Sequence, residues 1–415
     1  MARPENGLQF LTRGYGWLPD KRRQLGRRTV PTRLGGLKVL AIEGPEATRF
    51  LYDEAHVRRA HAIPEPVQGT LFGKGAVHTL DGELHRVRKA MFVALLMRED
   101  GIAALVEQAT RAWDDAAAGW RGRRIVLFDE SAEVIAGTVA RWAGIAVADD
   151  EVPGLARDLV ALVDGFATGG PRHWRARRAR GRREAWLSEL VNQVRAGRPV
   201  VPAGSAVDVV ARHTDADGEQ LDARVAAVEL LNIIRPTTAV AWFMTFSGHA
   251  LIRWPQHRER LASGDAAFAE AWAHEVRRFY PFAPFIGGRA PQETEYDGER
   301  IPQNSMVLLD LYGQNHDAEL WPDPYEFRPE RFLTDAGEVR AIDAFELVPQ
   351  GGGDPRTNHR CPGEQLTVAL LSALAVRLAR LEVDVPEQDL EIALHRIPAR
   401  PAGGVVLDVR PQPPA

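Results

Sequence analysis

Apolar residues recur at three- and four-residue spacings through much of the chain, and that rhythm marks helices. Between Asp81 and Val210 the segments LHRVRKAMFVALLM and GIAALVEQATRAWDDAAAGW carry it, so this region is predicted to be mostly helical. Upstream, RTVPTRLGGLKVLAIEGPEATRFLYD breaks into short β-like runs separated by Gly and Pro, with a helix expected after Gly44-Pro45. Asp222 stands where it would cap one long apolar helix over DARVAAVELLNIIRPTTAVAWFMTFSGHALI. Another helix is expected over AFAEAWAHEVRRFYP, stopping near Pro281. Residues 284–360 are rich in Pro, Gly and Asp and turn to loops and short strands. Helix returns at GEQLTVALLSALAVRLARLEVDV, and the tail from 385 reads as β-like or irregular. Strands and helices do not alternate regularly, which argues against a doubly wound fold. The expectation is a mainly α protein with small β-sheets, as a single domain over residues 1–415.

Composition narrows the function classes. The 415 residues suffice for a large core and a buried cofactor. A formal net charge of -4 gives no nucleic-acid footprint for the whole molecule. Seven arginines crowd RHWRARRARGRR at 172–183, but aromatic interleaving is thin, so a solvated helix face or surface loop is expected there. One cysteine leaves no internal disulfide and no multi-cysteine zinc site. The N-terminal residues hold no apolar run of signal-peptide length, and no stretch of about 18 uncharged apolar residues occurs. A cytoplasmic protein with no transmembrane segment is expected.

The candidate chemistry gathers at QGGGDPRTNHRCPGEQLTVALLSALAV. A glycine-rich loop carries Cys361 just ahead of a helix, whose amides and dipole favour a thiolate, as does nearby Arg360. A thiolate is a strong axial donor to haem iron. Local chemistry alone leaves an ordinary core cysteine equally open. The histidines His249, His257 and His274 have no spacing that compels a metal site and are expected to pack or lie at the surface.

With EVRR at 275–278, FRPERF at 327–332 and HRCPGE at 359–364 in this order, the chain resembles the cytochrome P-450 superfamily. The resemblance implies that fold with a buried haem b, Cys361 as proximal ligand, and a structural network of Glu275, Arg278 and Arg331. Two departures from the superfamily pattern narrow it. The loop before the cysteine is QGGGDPRTNH, longer and without the usual phenylalanine, and the central helix carries NIIRPTTAV where an acid–alcohol pair is usual. Both are similar to the bacterial fatty-acid peroxygenases. That resemblance extends over essentially the whole chain, including FGKGAVHTLDGELHRVRKAMF at 72–92.

It implies hydroxylation of long-chain fatty acids at the α or β carbon with hydrogen peroxide as co-substrate and no redox partner. Arg235 would hold the substrate carboxylate, Pro236 would open the helix locally, and the bound carboxylate would act as the acid–base group. The reading of the residues alone leaves a structural ion pair open for Arg235. Arg59, His85, Lys89 and Arg360 are the candidates for the haem propionates. His78, with Phe72 shaping the same pocket, would influence how much substrate is decarboxylated to terminal alkene. Its imidazole is expected to exchange a proton near neutral pH. The alternatives are a dioxygen-dependent monooxygenase needing redox partners and a non-catalytic haem or fatty-acid sensor.

Overall fold

The computed structural model describes residues 5–198 and 200–411. It is mainly helical with three small sheets. The β-like runs near the N-terminus become strands Val30–Leu34 and Leu37–Ile42, paired antiparallel, and Pro45 opens the Pro45–Tyr52 helix. Leu37–Ile42 then runs parallel to Met306–Asp310, which pairs antiparallel with Phe285–Arg289. The strand Val406–Val409 in the tail joins Arg124–Val126 and Val383–Asp384 in a second sheet. Thr294–Tyr296 and Glu299–Ile301 form the third.

Two large apolar clusters lie under the helices. One is built from Leu127–Trp142, Val240–Arg253, Ala266–Phe279 and Glu364–Arg380, with Trp242, Trp272, Leu371 and Leu374 at its heart. The other packs Gly82–Leu96, Val152–Asp164 and Gly170–Arg195 around Ala223–Thr238, through Leu159, Leu187, Leu230 and Ile234. The Asp222 carboxylate accepts from the amides of Arg224 and Val225, as an N-cap does.

Two expectations change. The long central helix is two, Ala223–Thr238 and Val240–Arg253, with the break at Ala239. Pro236, in the last turn before the break, has no amide to bond the Asn232 carbonyl, yet the helix runs through it to Thr238. The arginine-rich segment is helical but not wholly solvated. Arg180 is buried, donating from Nε to the Thr70 carbonyl and from Nη2 to the Leu71 carbonyl, and pairing with Glu184. Arg172 pairs with Asp164, while Arg182 and Arg183 reach Asp158.

Candidate active site

The cysteine loop is shaped by backbone that only glycine tolerates. Gly351 has φ +93°, and a Cβ there would fall 2.2 Å from the Tyr52 hydroxyl. Gly353 has φ +82° and would clash with the Asn358 side chain. This compact path returns the Cys361 amide to the Gln350 carbonyl at 3.0 Å and sets Cys361 three residues ahead of the Glu364–Arg380 helix. Burial pushes the Cys361 thiol up from its ordinary pKa, against the pull of Lys89, the Gly363 amide and the Gln350 side chain. The cations and helix-end amide that argued for a thiolate from sequence are thus present, and burial opposes them. A coordinated metal ion does deprotonate such a thiol.

Arg360 is committed to the loop. Its Nε donates to Glu364 at 2.7 Å, and its Nη1 donates to the carbonyls of Gly353 and Ala344. Arg277, which the sequence reading passed over, joins the same loop. It is buried, donates from Nε to Gln350 Oε1 at 2.9 Å, and forms an ion pair with Glu364. The signal was there in EVRR, whose first arginine points to the cysteine loop while the second faces Glu275.

Glu275, Arg278 and Arg331 come together. Arg278 binds the buried Glu275 carboxylate through Nε and Nη2 at 2.7 and 2.8 Å. The Arg328 amide donates to it at 2.8 Å, and Arg331 Nε lies 3.2 Å from it. The group ties the Ala266–Phe279 helix to the 324–331 segment through charge-assisted bonds.

The candidate cations for the propionates converge from three segments. Lys89 donates to the Arg360 carbonyl at 2.5 Å, and burial brings it down to about 8 while Cys361 opposes that shift. Arg59 donates to the Gly287 carbonyl and lies over the Tyr52 ring. The His85 ring stacks on His359 at 3.9 Å, and burial, with His359 beside it, lowers His85 to about 3. Glu54, His85 and His359 bring one ligand atom each within 4.8 Å of one another, beside this set.

Arg235 is 6% exposed, donates from Nη2 to Asn232 Oδ1 at 3.0 Å, and has no partner at Nε. No carboxylate of the described residues pairs with it. Burial, with Arg180 nearby, brings it down to about 9, so it stays cationic at neutral pH, and Cys361 is close enough to favour its charge. Phe72 lies under the guanidinium at 5.8 Å and packs on His78 at 4.4 Å. The His78 Nδ1 is buried without a partner. Burial, then Arg235, His359, Lys89 and His85, push its pKa well below the ordinary range. His78 is therefore neutral near pH 7 in this surrounding, which corrects the expected proton exchange. His249, His257 and His274 pack, bonded or paired to Tyr280, Glu330 and Glu270.

The cytochrome P450 family profile matches residues 264–407. Cytochrome P450SP alpha (CYP152B1), solved in complex with (R)-ibuprophen, is 40% identical over 98% of each chain with a TM-score of 0.92. The chain belongs to the cytochrome P450 family, in its fatty-acid peroxygenase branch. Cytochrome P450EX alpha (CYP152N1), solved with myristic acid, is 34% identical over 98% of each chain with a TM-score of 0.92. Among curated proteins, "Probable cytochrome P450 4d20" of Drosophila melanogaster is 33% identical over 149 residues, 36% of this chain. The chain spans about a quarter of the length of the first curated relatives it matches.

The family implies haem, and the residues fit one. A single, partly buried thiol is available as axial ligand, and the imidazoles of His78 and His85 and the guanidinium of Arg235 each keep a buried nitrogen without a partner. Such orphaned polar atoms are costly unless a ligand meets them. Arg235 and Lys89 each interact electrostatically with Cys361, and His78 with Arg235, Lys89 and His85, so these groups lie in one region. Cys361 would hold the iron, with Arg59, Lys89 and His85 facing the propionates. Among the described residues, no helix is long and apolar enough to cross a membrane.

Proposed function

We propose that this enzyme uses hydrogen peroxide to hydroxylate long-chain fatty acids at the α or β carbon, with haem b bound through Cys361 and no redox partner. The whole chain, 1–415, acts as one haem-thiolate domain in the cytoplasm, the setting argued from sequence. The carrying observation is Arg235, a buried cation with a free Nε and no carboxylate partner among the described residues. The reaction balances as a C–H bond plus hydrogen peroxide giving C–OH plus water. Bound haem supplies the redox-active iron through which one peroxide oxygen reaches the C–H bond.

The chain's own residues bind, orient and exclude water. The Nε edge of Arg235 accepts the substrate carboxylate through paired charge-assisted hydrogen bonds, which fixes the α and β carbons at a set depth. Asn232 holds the guanidinium at Nη2, and Phe72 lies beneath it. The carboxylate held at Arg235 is the acid–base group that moves the peroxide protons, since His78 is held neutral by burial and by Arg235. His78 offers a neutral hydrogen-bonding nitrogen that competes for substrate placement and so sets the share of terminal alkene. Arg235-Pro236 stands where an acid–alcohol pair would serve dioxygen chemistry.

The test is product analysis by gas chromatography with purified haem-loaded protein and a series of saturated fatty acids. Peroxide alone is expected to give α- or β-hydroxy acids with some terminal alkene. Turnover only with a reductase and nicotinamide would establish the monooxygenase reading instead. Binding of both ligands with no turnover would establish a sensor.

A further inference from the structure

We infer that Glu229 is a positioning residue that fixes which edge of the Arg235 guanidinium faces the substrate carboxylate. The inference rests on the carboxylate-anchoring role proposed for Arg235. Glu229 lies six residues before Arg235 on the Ala223–Thr238 helix and is 0% exposed. Its carboxylate accepts from the Val77 amide at 2.8 Å, from Arg88 Nη1 at 2.8 Å and from Asn232 Nδ2 at 3.1 Å. Arg88 is braced in turn by Asp215 and the Gly75 carbonyl.

A structural ion pair with Arg88 would explain the burial but not the Asn232 bond. An amide side chain has one donating end and one accepting end. Asn232 meets two acceptors on one side, Glu229 Oε2 and the Phe72 carbonyl at 2.9 Å, and both take Nδ2. Its two N–H groups are thereby spent, and Oδ1 is obliged to face Arg235 Nη2. A turned amide would set N–H against the guanidinium and leave a carboxylate facing a carbonyl oxygen. The Glu229 carboxyl, whose oxygens accept from Val77, Arg88 and Asn232, thus dictates the polarity of Asn232. Asn232 thereby pins Nη2 of Arg235, beside Nε on the same edge, and fixes where the unpartnered Nε points.

The same carboxylate aligns the opposite wall of the pocket. Through the Val77 amide it holds the residue before His78, and through Asn232 it holds the Phe72 carbonyl. Gly73 permits that approach. It has φ +87°, and a Cβ there would lie 2.6 Å from the Val228 side chain. Anchor and wall are therefore referred to one buried group.

Glu229→Gln replaces one acceptor by a donor and frees Asn232 to turn. The measurements are spectral titration of the haem-loaded enzyme with hexadecanoic acid, the α-to-β product ratio, and thermal melting. Expected is a Kd raised about tenfold, as for one charge-assisted bond lost, with a shifted α-to-β ratio. Asp215→Asn breaks the outer end of the network without touching Asn232. It should lower the melting temperature and leave Kd and ratio unchanged. In an Arg235→Ala background, Glu229→Gln should add nothing to the loss of binding, because its effect passes through Arg235. Should Glu229→Gln fail to fold, Asn232→Leu carries the same expectations. Equal loss of binding in both backgrounds, or a lowered melting temperature with Kd and ratio unmoved, overturns the inference alone. An unchanged Kd in Arg235→Ala itself overturns the anchoring role and this inference together.

Discussion

Removing the Arg235 guanidinium separates a substrate anchor from a structural cation. Folding has already desolvated the group, which is 6% exposed, and among the described residues it donates one hydrogen bond to a neutral acceptor, Asn232 Oδ1. An incoming carboxylate therefore meets a cation whose hydration has been lost beforehand. Each charge-assisted bond contributes about 1.5–3 kcal/mol, so two give about 3–6 kcal/mol. The carboxylate's own desolvation offsets part of this, which leaves about 3 kcal/mol. That corresponds to a loss of roughly 150-fold in kcat/KM for Arg235→Ala with a fatty acid. Arg235→Lys keeps the charge but not the planar fork, and a loss of about tenfold is expected. The assay is steady-state product formation from hydrogen peroxide, run in parallel on a fatty acid and its methyl ester, with haem content measured for each variant. The ester offers no anion, so its slow turnover should be nearly indifferent to the substitution. Stability gives a second, opposite sign. Arg235→Ala removes a buried cation that has no carboxylate partner, so the melting temperature should hold or rise. Equal losses for acid and ester, or a marked fall in stability with activity retained, would refute the reasoning.

Cys361→Ala should abolish the strongly red-shifted Soret band of the reduced, carbon-monoxide-bound protein, and a retained band would remove Cys361 as iron ligand. Glu275→Gln leaves Arg278 and Arg331 around a neutral amide, and breaking a buried pair in this way costs about 3–5 kcal/mol of stability. Urea unfolding of the haem-loaded protein reads that loss, and a change below about 1 kcal/mol would contradict a bracing role. His78→Gln should lower the alkene-to-hydroxy-acid ratio from one long saturated fatty acid at unchanged substrate binding. Because His78 is held neutral, the parent's ratio should stay flat between about pH 6 and 8, and a step in that range would show that the imidazole titrates after all.

Much of the architecture was legible in local pattern. The Asp222 cap, the helix stopping before Pro281 and the strands around Gly35-Gly36 each follow from residues within a few positions of the feature they set. The cysteine loop was legible through its glycines, whose backbone angles nothing else adopts comfortably. What stayed hidden depends on partners far away in the chain. In the arginine run 172–183, nothing local marks Arg180 as the one that turns inward, because its acceptors are the carbonyls of Thr70 and Leu71. Arg277 and Arg278 are adjacent in EVRR and both buried. Only the fold assigns one to Gln350 and Glu364 and the other to Glu275. Glu229 looks like any acidic residue in a helix until Arg88, Val77 and Asn232 are seen to meet it.

The buried cations sort by partner, and that sorting bears on function more than their positions in sequence do. Eight arginines and lysines of the described residues are buried: Arg22, Arg59, Arg88, Lys89, Arg180, Arg235, Arg277 and Arg278. Five of them have a carboxylate within ion-pair distance: Arg22, Arg88, Arg180, Arg277 and Arg278. Arg59, Lys89 and Arg235 have none among the described residues. A buried charge without a counter-charge destabilises the fold by several kcal/mol, in order of magnitude, so such a group persists where an anion from outside completes it. The proposed ligands bring three anionic groups: two haem propionates and one fatty-acid carboxylate. His85, lowered to about 3, is neutral, and Arg360 is already paired with Glu364, so neither alters that count. Under the proposed function, that match would give Arg59 and Lys89 to the haem and leave Arg235, which carries the free Nε, to the substrate.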